Sequence, residues 1–95
     1  MEKEKEIMLN LQHVKVEEFI GEISEKDYSK EVGNLIHRRA GDIALDDKAR
    51  ELYHNGEVSL TDSMLKIFAS IINESGLVLF VKKGLLEHIE KMSNP

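Results

Sequence analysis

Glu51 and His54 have a spacing that could support metal chemistry, because a Glu-x-x-His step places both side chains on one face of a helix. Di-iron helical bundles use two such steps together with two further inward-facing glutamates. The other histidines lack a glutamate three positions upstream, where the sequence has Asn10, Asn34 and Leu85. The sequence therefore predicts no metal site and no cofactor, and we interpret His54 as an exposed histidine near a helix end.

Signatures of catalysis are also missing from the sequence. The chain contains no cysteine, so a thiolate nucleophile is excluded. It has neither the Gly-x-Ser-x-Gly turn of serine hydrolases nor a glycine-rich phosphate-binding loop. The adjacent acids Glu17-Glu18 and Asp46-Asp47 would point to different sides of a helix and are interpreted as solvated surface. The sequence therefore predicts a protein that is not an enzyme.

The distribution of charge disfavours nucleic acid as the partner. The formal net charge is −5, and residues 1–31 hold nine acids against five bases. An acidic surface repels phosphates unless a basic face is segregated from it. Two alternatives stay open. One is a basic patch that binds nucleic acid through Arg38, Arg39, Lys82 and Lys83. The other is an acidic mimic of nucleic acid formed by Glu17, Glu18, Glu22 and Glu25.

A buried helix over residues 59–77 is expected to organise the chain. Ser59 or Thr61 can cap its N-terminus, where Asp62 suits the positive end of the helix dipole. Gly76 is placed to end the helix in a left-handed turn. Its apolar residues recur at three- and four-residue intervals and cover most of its circumference; they are Met64, Leu65, Ile67, Phe68, Ile71 and Ile72.

Residues 2–23 allow two interpretations. As a strand, the alternation of Ile7, Leu9 and Leu11 slips at His13. As a helix, a longer series at steps of four and three fits one face, and it comprises Leu9, His13, Val16, Ile20 and Ile23. The longer match favours a helix, although Gly21 weakens it.

Helices are also expected on both sides of the central one. From Tyr28 onward, the apolar spacing predicts a continuous, kinked helix that ends at Asn55-Gly56. The alternative is a second helix that starts after Gly41 with Asp42 as its cap. The apolar run that begins at Leu77 could be a buried strand, but its continuation at helical spacing to Met92 favours a helix.

The predicted fold is therefore all-α, a small bundle of about four helices that forms a single domain over residues 1–95. The alternative is an α+β fold with a short strand pair, from Ile7 to Val16 and from Leu77 to Val81. The sequence has no signal-peptide pattern and no apolar run long enough to span a bilayer. It predicts a cytoplasmic protein that does not associate with membranes.

A set of residues, mostly alanine, leucine and glycine, recurs with a recognisable spacing over roughly two-thirds of the chain. Its members are Arg39-Ala40, Asp42, Ala44, Ala49, Leu52-Tyr53, Gly56, Ser59, Ala69, Gly76-Leu77, Phe80 and Leu85-Leu86. This spacing resembles that in a family of small bacterial helical proteins of unknown function, whose members often occur in genomes rich in conjugative elements. The resemblance implies an all-helical domain, a bacterial cytosol and an association with mobile elements, and it carries no catalytic residue.

The sequence predicts an interaction or regulatory module that binds another protein or itself. The reason is a surplus of apolar surface. The central helix and the run after Gly76 carry more apolar side chains than two further amphipathic helices can bury. Homodimerisation through the C-terminal helix is the first expectation. The residues expected at the interface are Leu77, Leu79, Phe80, Val81 and Leu86.

Overall fold

The computed structural model describes residues 5–93 and shows an α+β fold. The prediction of an all-α helical bundle is wrong, because the described chain contains two antiparallel two-stranded sheets beside its helices. The elements in chain order are β1 (Glu6–Asn10), β2 (Val14–Phe19), β3 (Glu22–Lys26), α1 (Ser29–Arg39), α2 (Ile43–Asn55), β4 (Glu57–Thr61), α3 (Asp62–Asn73) and α4 (Leu79–Ser93).

The first sheet joins β1 to β4. Its register pairs Ile7 with Leu60 and Leu9 with Val58. Leu9, Val58 and Leu60 are buried, and the two strands contact α2, α3 and α4. The sheet therefore lies in the core. Its paired residues are at least 47 positions apart in the chain, so local spacing could not reveal the partner of β1.

The second sheet is a hairpin of β2 and β3. Its turn contains Gly21, whose φ of 84° favours glycine and whose N–H donates to the Glu17 carboxylate at 3.0 Å. Val14 and Val16 of β2 are buried, whereas every residue of β3 is exposed. The predicted helix over residues 2–23 is wrong where the structure describes it, because this part of the chain forms β1, β2 and the start of β3. The slip in alternation at His13 marks the turn between β1 and β2.

Two separate helices, α1 and α2, follow the hairpin. The Asp42 side chain caps α2 by accepting the Leu45 N–H at 2.8 Å. The prediction of one continuous helix is therefore wrong, and the alternative with Asp42 as cap is confirmed. The predicted end at Asn55-Gly56 is also confirmed, since Gly56 has a φ of 79° and its N–H donates to the Leu52 carbonyl at 2.9 Å.

The central helix, α3, is shorter than expected. Ser59 belongs to β4, and Thr61 is the cap, with its hydroxyl accepting the Met64 N–H at 3.2 Å. The predicted left-handed stop at Gly76 is wrong, because among the described glycines only Gly21 and Gly56 have a positive φ. The buried side chains of α3 are Leu65, Phe68 and Ile72.

Residues 77–81 do not form a strand. Residues 74–78 connect α3 to α4, so the alternative strand pair is wrong and the helix prediction is confirmed from Leu79 onward. Val81, Leu85 and Ile89 recur at helical spacing and are buried, and α4 contacts both β2 and α3. Within the described range 5–93, no helix is long and apolar enough to cross a membrane.

Candidate interaction surface

A groove of about 440 Å³ lies between β2 and α4. Gly84 brings the helix close to the strand, because a Cβ atom added there would lie 2.6 Å from Val16 Cγ1 and 2.8 Å from the Lys15 carbonyl oxygen. The residues around this contact leave a channel open to solvent, which we name the β2/α4 groove. Its lining residues are Lys15, Glu17, Ile23, Leu79, Phe80, Lys83, Gly84, Glu87 and Lys91.

Apolar side chains are exposed in the β2/α4 groove. Ile23 is 61% exposed and Leu79 is 76% exposed, while Phe80 is half-buried. The hairpin that carries Ile23 ends in two further exposed apolar residues, Phe19 and Ile20, and Ile20 is 99% exposed. Exposed apolar side chains that line one groove, as Ile23 and Leu79 do, are typical of a surface that another molecule covers.

Lysines make the rest of the groove basic. It contains Lys15, Lys83 and Lys91 against the carboxylates of Glu17 and Glu87. In the part of the chain that the structure describes, no ion pair joins any of these lysines to a carboxylate. This local excess of positive charge stands out in a chain whose net charge is −5. The groove is therefore suited to an anionic ligand.

The basic part of the groove continues into a second cavity of about 210 Å³, which His13 and His88 also line. The His88 side chain is fixed by a contact of 2.6 Å between its Nε2 and the Asn10 carbonyl oxygen, where the ring N–H donates. This contact links α4 to the end of β1 and holds one wall of the cavity in place.

The structure separates the predicted interface residues. Leu79 and Phe80 line the groove, whereas Val81 is buried in the core. Leu77 and Leu86 are half-buried and pack against the core, and Leu86 lines a different cavity beside α3. Ile23 was not among the residues predicted at the interface. The alternation of Val14 and Val16 before Gly21 was the signal that could have placed it in a hairpin.

The predicted basic patch is also divided. Lys83 lines the groove and the half-buried Lys82 does not, while Arg38 and Arg39 are exposed at the end of α1. Neither arginine belongs to the groove lining. The predicted patch did not include Lys91, which lies further along α4 than Lys83, or Lys15, which only the packing of α4 against β2 brings into the same groove.

The acidic residues proposed as a nucleic-acid mimic all belong to the hairpin. Glu17 lines the β2/α4 groove and Glu18 pairs with Lys26 at 3.5 Å. Glu22 and Glu25 are exposed on β3. Lysines therefore accompany part of this acidic set, unlike the unbroken negative surface that imitates a phosphate backbone.

Glu51 and His54 are both exposed on α2. The His54 ring packs edge-to-face on Tyr53, with 5.2 Å between the ring centroids. No group of three or more histidine, aspartate or glutamate residues within 5–93 is arranged to hold a metal ion. The only structural role visible for His54 is therefore its contact with Tyr53.

A charged cluster connects α1 to α2 away from the groove. Asp46 contacts the His37 ring and accepts a hydrogen bond of 3.0 Å from Arg50 Nε. These two interactions, with that of His37 the larger, hold the pKa of the Asp46 carboxyl below its usual value. The cluster also borders a cavity of about 170 Å³. Asp46 interacts with both His37 and Arg50, so we interpret the cluster as a link between the helices.

The Asp46→Asn variant is expected to be less stable than the wild type at neutral pH, with a difference that shrinks in acid. A carboxyl whose folded pKa is depressed adds stability above its unfolded pKa, here 3.8, and this stability is lost as the pH falls through the folded value. Urea unfolding at several pH values between about 7 and about 3 measures the effect. Asp47→Asn, at the exposed neighbouring residue, is the matched control, and a difference that grows in acid would contradict the assignment.

Comparison of the chain with protein-family models, with curated proteins and with solved structures gives no match. The family resemblance therefore stays a prediction.

Proposed function

We propose that this protein is a small binding module that receives an extended peptide segment of a partner protein in the β2/α4 groove. The observation that carries the proposal is the combination in one groove of exposed apolar residues, Ile23 and Leu79, with three lysines that lack an ion pair among the described residues. A peptide with one apolar anchor and several acidic residues complements both features.

The apolar residues supply a reason for affinity. Full burial of one leucine or isoleucine side chain contributes roughly 1.5–3 kcal/mol, and both Ile23 and Leu79 are largely exposed in the free protein. The lysines supply a reason for selectivity, because they favour a partner of opposite charge and disfavour a basic one.

A peptide suits this groove better than a nucleic acid does. Glu17 and Glu87 lie among the lysines and would repel a continuous phosphate backbone. Single-stranded nucleic acids are usually held by exposed aromatic rings, whereas Phe80, the aromatic residue of the groove, is half-buried.

Panning a display library of random peptides of about 12 residues on the purified protein tests the proposal. We expect enrichment of peptides that combine aspartate or glutamate with a large apolar residue. Binding of a selected peptide should fall by about tenfold or more in Leu79→Ser and in Lys83→Glu, since each change removes one kind of contact.

Two variants serve as matched controls. Ile43→Ser removes an isoleucine that is 80% exposed on α2, and Arg38→Glu reverses a charge at the end of α1; both residues lie outside the groove lining. Neither should change peptide binding. Peptides that ignore Leu79 and Lys83, or a failure to enrich any peptide, would overturn the proposal. Tight binding of a labelled oligonucleotide that weakens steeply with salt would instead support the alternative of a nucleic-acid-associated factor.

A further inference from the structure

The outer edge of β3 is unpaired in the described chain. Within residues 5–93, β3 pairs with β2 alone, and all five of its residues are exposed. An edge strand of this kind presents a row of backbone N–H and C=O groups that can pair with another strand. By contrast, the C-terminal helix uses its apolar stripe, Val81, Leu85 and Ile89, in the core of its own chain.

We propose that β3 pairs with β3 of a second copy of this chain, in an antiparallel register centred on Ser24. The two hairpins would then form one four-stranded sheet in the order β2, β3, β3 and β2. This inference goes beyond the peptide groove and does not depend on it.

The charges of β3 select that register. A twofold axis through an antiparallel strand pair places one residue opposite its own copy. With Ser24 at the axis, Glu22 lies opposite Lys26 of the partner subunit, and the same pair repeats on the other side of the axis. Opposite charges in directly facing positions stabilise strand pairs, and like charges destabilise them.

The neighbouring registers lack this match. With Glu25 at the axis, two carboxylates would face each other at close range. With Ile23 at the axis, Glu22 would face Ser24, and neither Glu22 nor Lys26 would meet an opposite charge on β3. Charged side chains usually protect an edge strand from pairing. Here the charges of β3 disfavour pairing with other strands, whereas they are complementary to those of a second β3.

Lys26 already contacts Glu18 of its own hairpin, with 3.5 Å between Nζ and Oε2. In the proposed dimer its ammonium group would lie between this carboxylate and that of Glu22 of the partner subunit. A lysine has three N–H donors, so it can serve both carboxylates.

The proposed symmetry also determines on which face of the dimer the two β2/α4 grooves lie. Lys15, Glu17 and Ile23 lie on one face of the hairpin, because Lys15 pairs with Glu25 and Glu17 pairs with Ile23. A twofold axis perpendicular to the sheet keeps this face on the same side in both copies. The dimer would therefore present two β2/α4 grooves on one face, where a partner with two binding segments could occupy both.

Cysteine cross-linking tests the register. The chain has no natural cysteine, so a single substitution introduces the only thiol. Facing Cα atoms in an antiparallel pair are about 4.5–5.5 Å apart, which suits a disulfide. Ser24→Cys should therefore form a covalent dimer under mild oxidation. Glu25→Cys and Ile43→Cys are the controls: the two Glu25 positions would be diagonal, about 7–8 Å apart, and Ile43 lies on α2.

Charge exchange tests the interaction itself. Light scattering or sedimentation from about 1 µM to about 500 µM measures association in the range expected for a small interface. Glu22→Lys and Lys26→Glu should each weaken dimerisation by about tenfold, because two facing pairs become repulsive in each variant. The double variant should recover it. Glu51→Lys makes the same charge change on α2 and should leave dimerisation unchanged.

Circular dichroism of every variant checks that the overall fold is retained. A protein that stays monomeric throughout the concentration range would overturn the inference. A dimer whose dissociation constant is unchanged by either charge reversal would also overturn it. So would a Ser24→Cys variant that forms the covalent dimer no faster than Glu25→Cys. A monomer that still selects acidic peptides would overturn the dimer and leave the peptide groove intact, so the two proposals fail separately.

Discussion

Replacing Phe68 with alanine is expected to lower the free energy of unfolding by about 3–5 kcal/mol. Phe68 is fully buried on α3 and is the largest of the fully buried side chains. Its removal takes away apolar contacts and leaves a cavity that a packed interior fills only in part. Urea unfolding, followed by the far-ultraviolet circular dichroism of the helices, measures the change. A loss of this size is a large part of the stability of a small domain.

Ile67→Ala is the matched control for Phe68→Ala. Ile67 is the preceding residue on the same helix but is 45% exposed, so its truncation removes less buried surface. We expect a loss of roughly 1 kcal/mol or less for this variant. Equal losses at the two positions would contradict the placement of Phe68 at the centre of the core.

Replacing Gly84 with alanine is expected to destabilise the protein by about 1–3 kcal/mol, although alanine favours helix formation by about 1 kcal/mol over glycine. The added Cβ would lie 2.8 Å from the backbone carbonyl oxygen of Lys15 and 2.6 Å from Val16 Cγ1. A backbone atom cannot rotate away, so α4 must move from β2. Thermal and urea unfolding report the loss of stability.

Gly76→Ala is the control for Gly84→Ala. Gly76 has no positive φ, and an added Cβ there would meet no atom within 4 Å. This substitution should be neutral or slightly stabilising, because it reduces the freedom of the unfolded chain. If Gly84→Ala were as stable as Gly76→Ala, the close contact between α4 and β2 would be refuted. The β2/α4 groove would then have a different shape in solution.

Much of the second half of the chain was predictable because its signals are local. The Asp42 side chain and the left-handed Gly56 define the two ends of α2, and each does so through a hydrogen bond to a nearby residue of the same helix. The apolar spacing around Phe68 identified a buried helix, and the spacing beyond Leu79 identified α4. Even here the sequence left one choice open, since both a kinked helix and a new helix at Asp42 fitted the apolar pattern.

Residues 5–23 were misread as a helix because they form strands whose partners lie elsewhere in the chain. Steps of three and four between Leu9 and Ile23 imitate a helix, but Leu9 pairs with Val58 far along the chain. The hairpin then buries Val14 and Val16 while leaving Ile23 exposed. Periodicity alone cannot separate these cases, because it records which residues are apolar and not what covers them.

The residues of the candidate site also fall into two groups, those that local sequence identified and those that only tertiary packing brings together. Leu79, Phe80 and Lys83 were identified from the sequence, because an apolar run followed by lysines is visible without a structure. Ile23 and Lys15 joined them only through the packing of α4 against β2, which Gly84 permits. The sequence by itself determined the C-terminal end of α2, the buried centre of α3 and the absence of cysteine. Tertiary structure decided the strand pairing and the groove, because both depend on contacts between residues that are far apart in the chain.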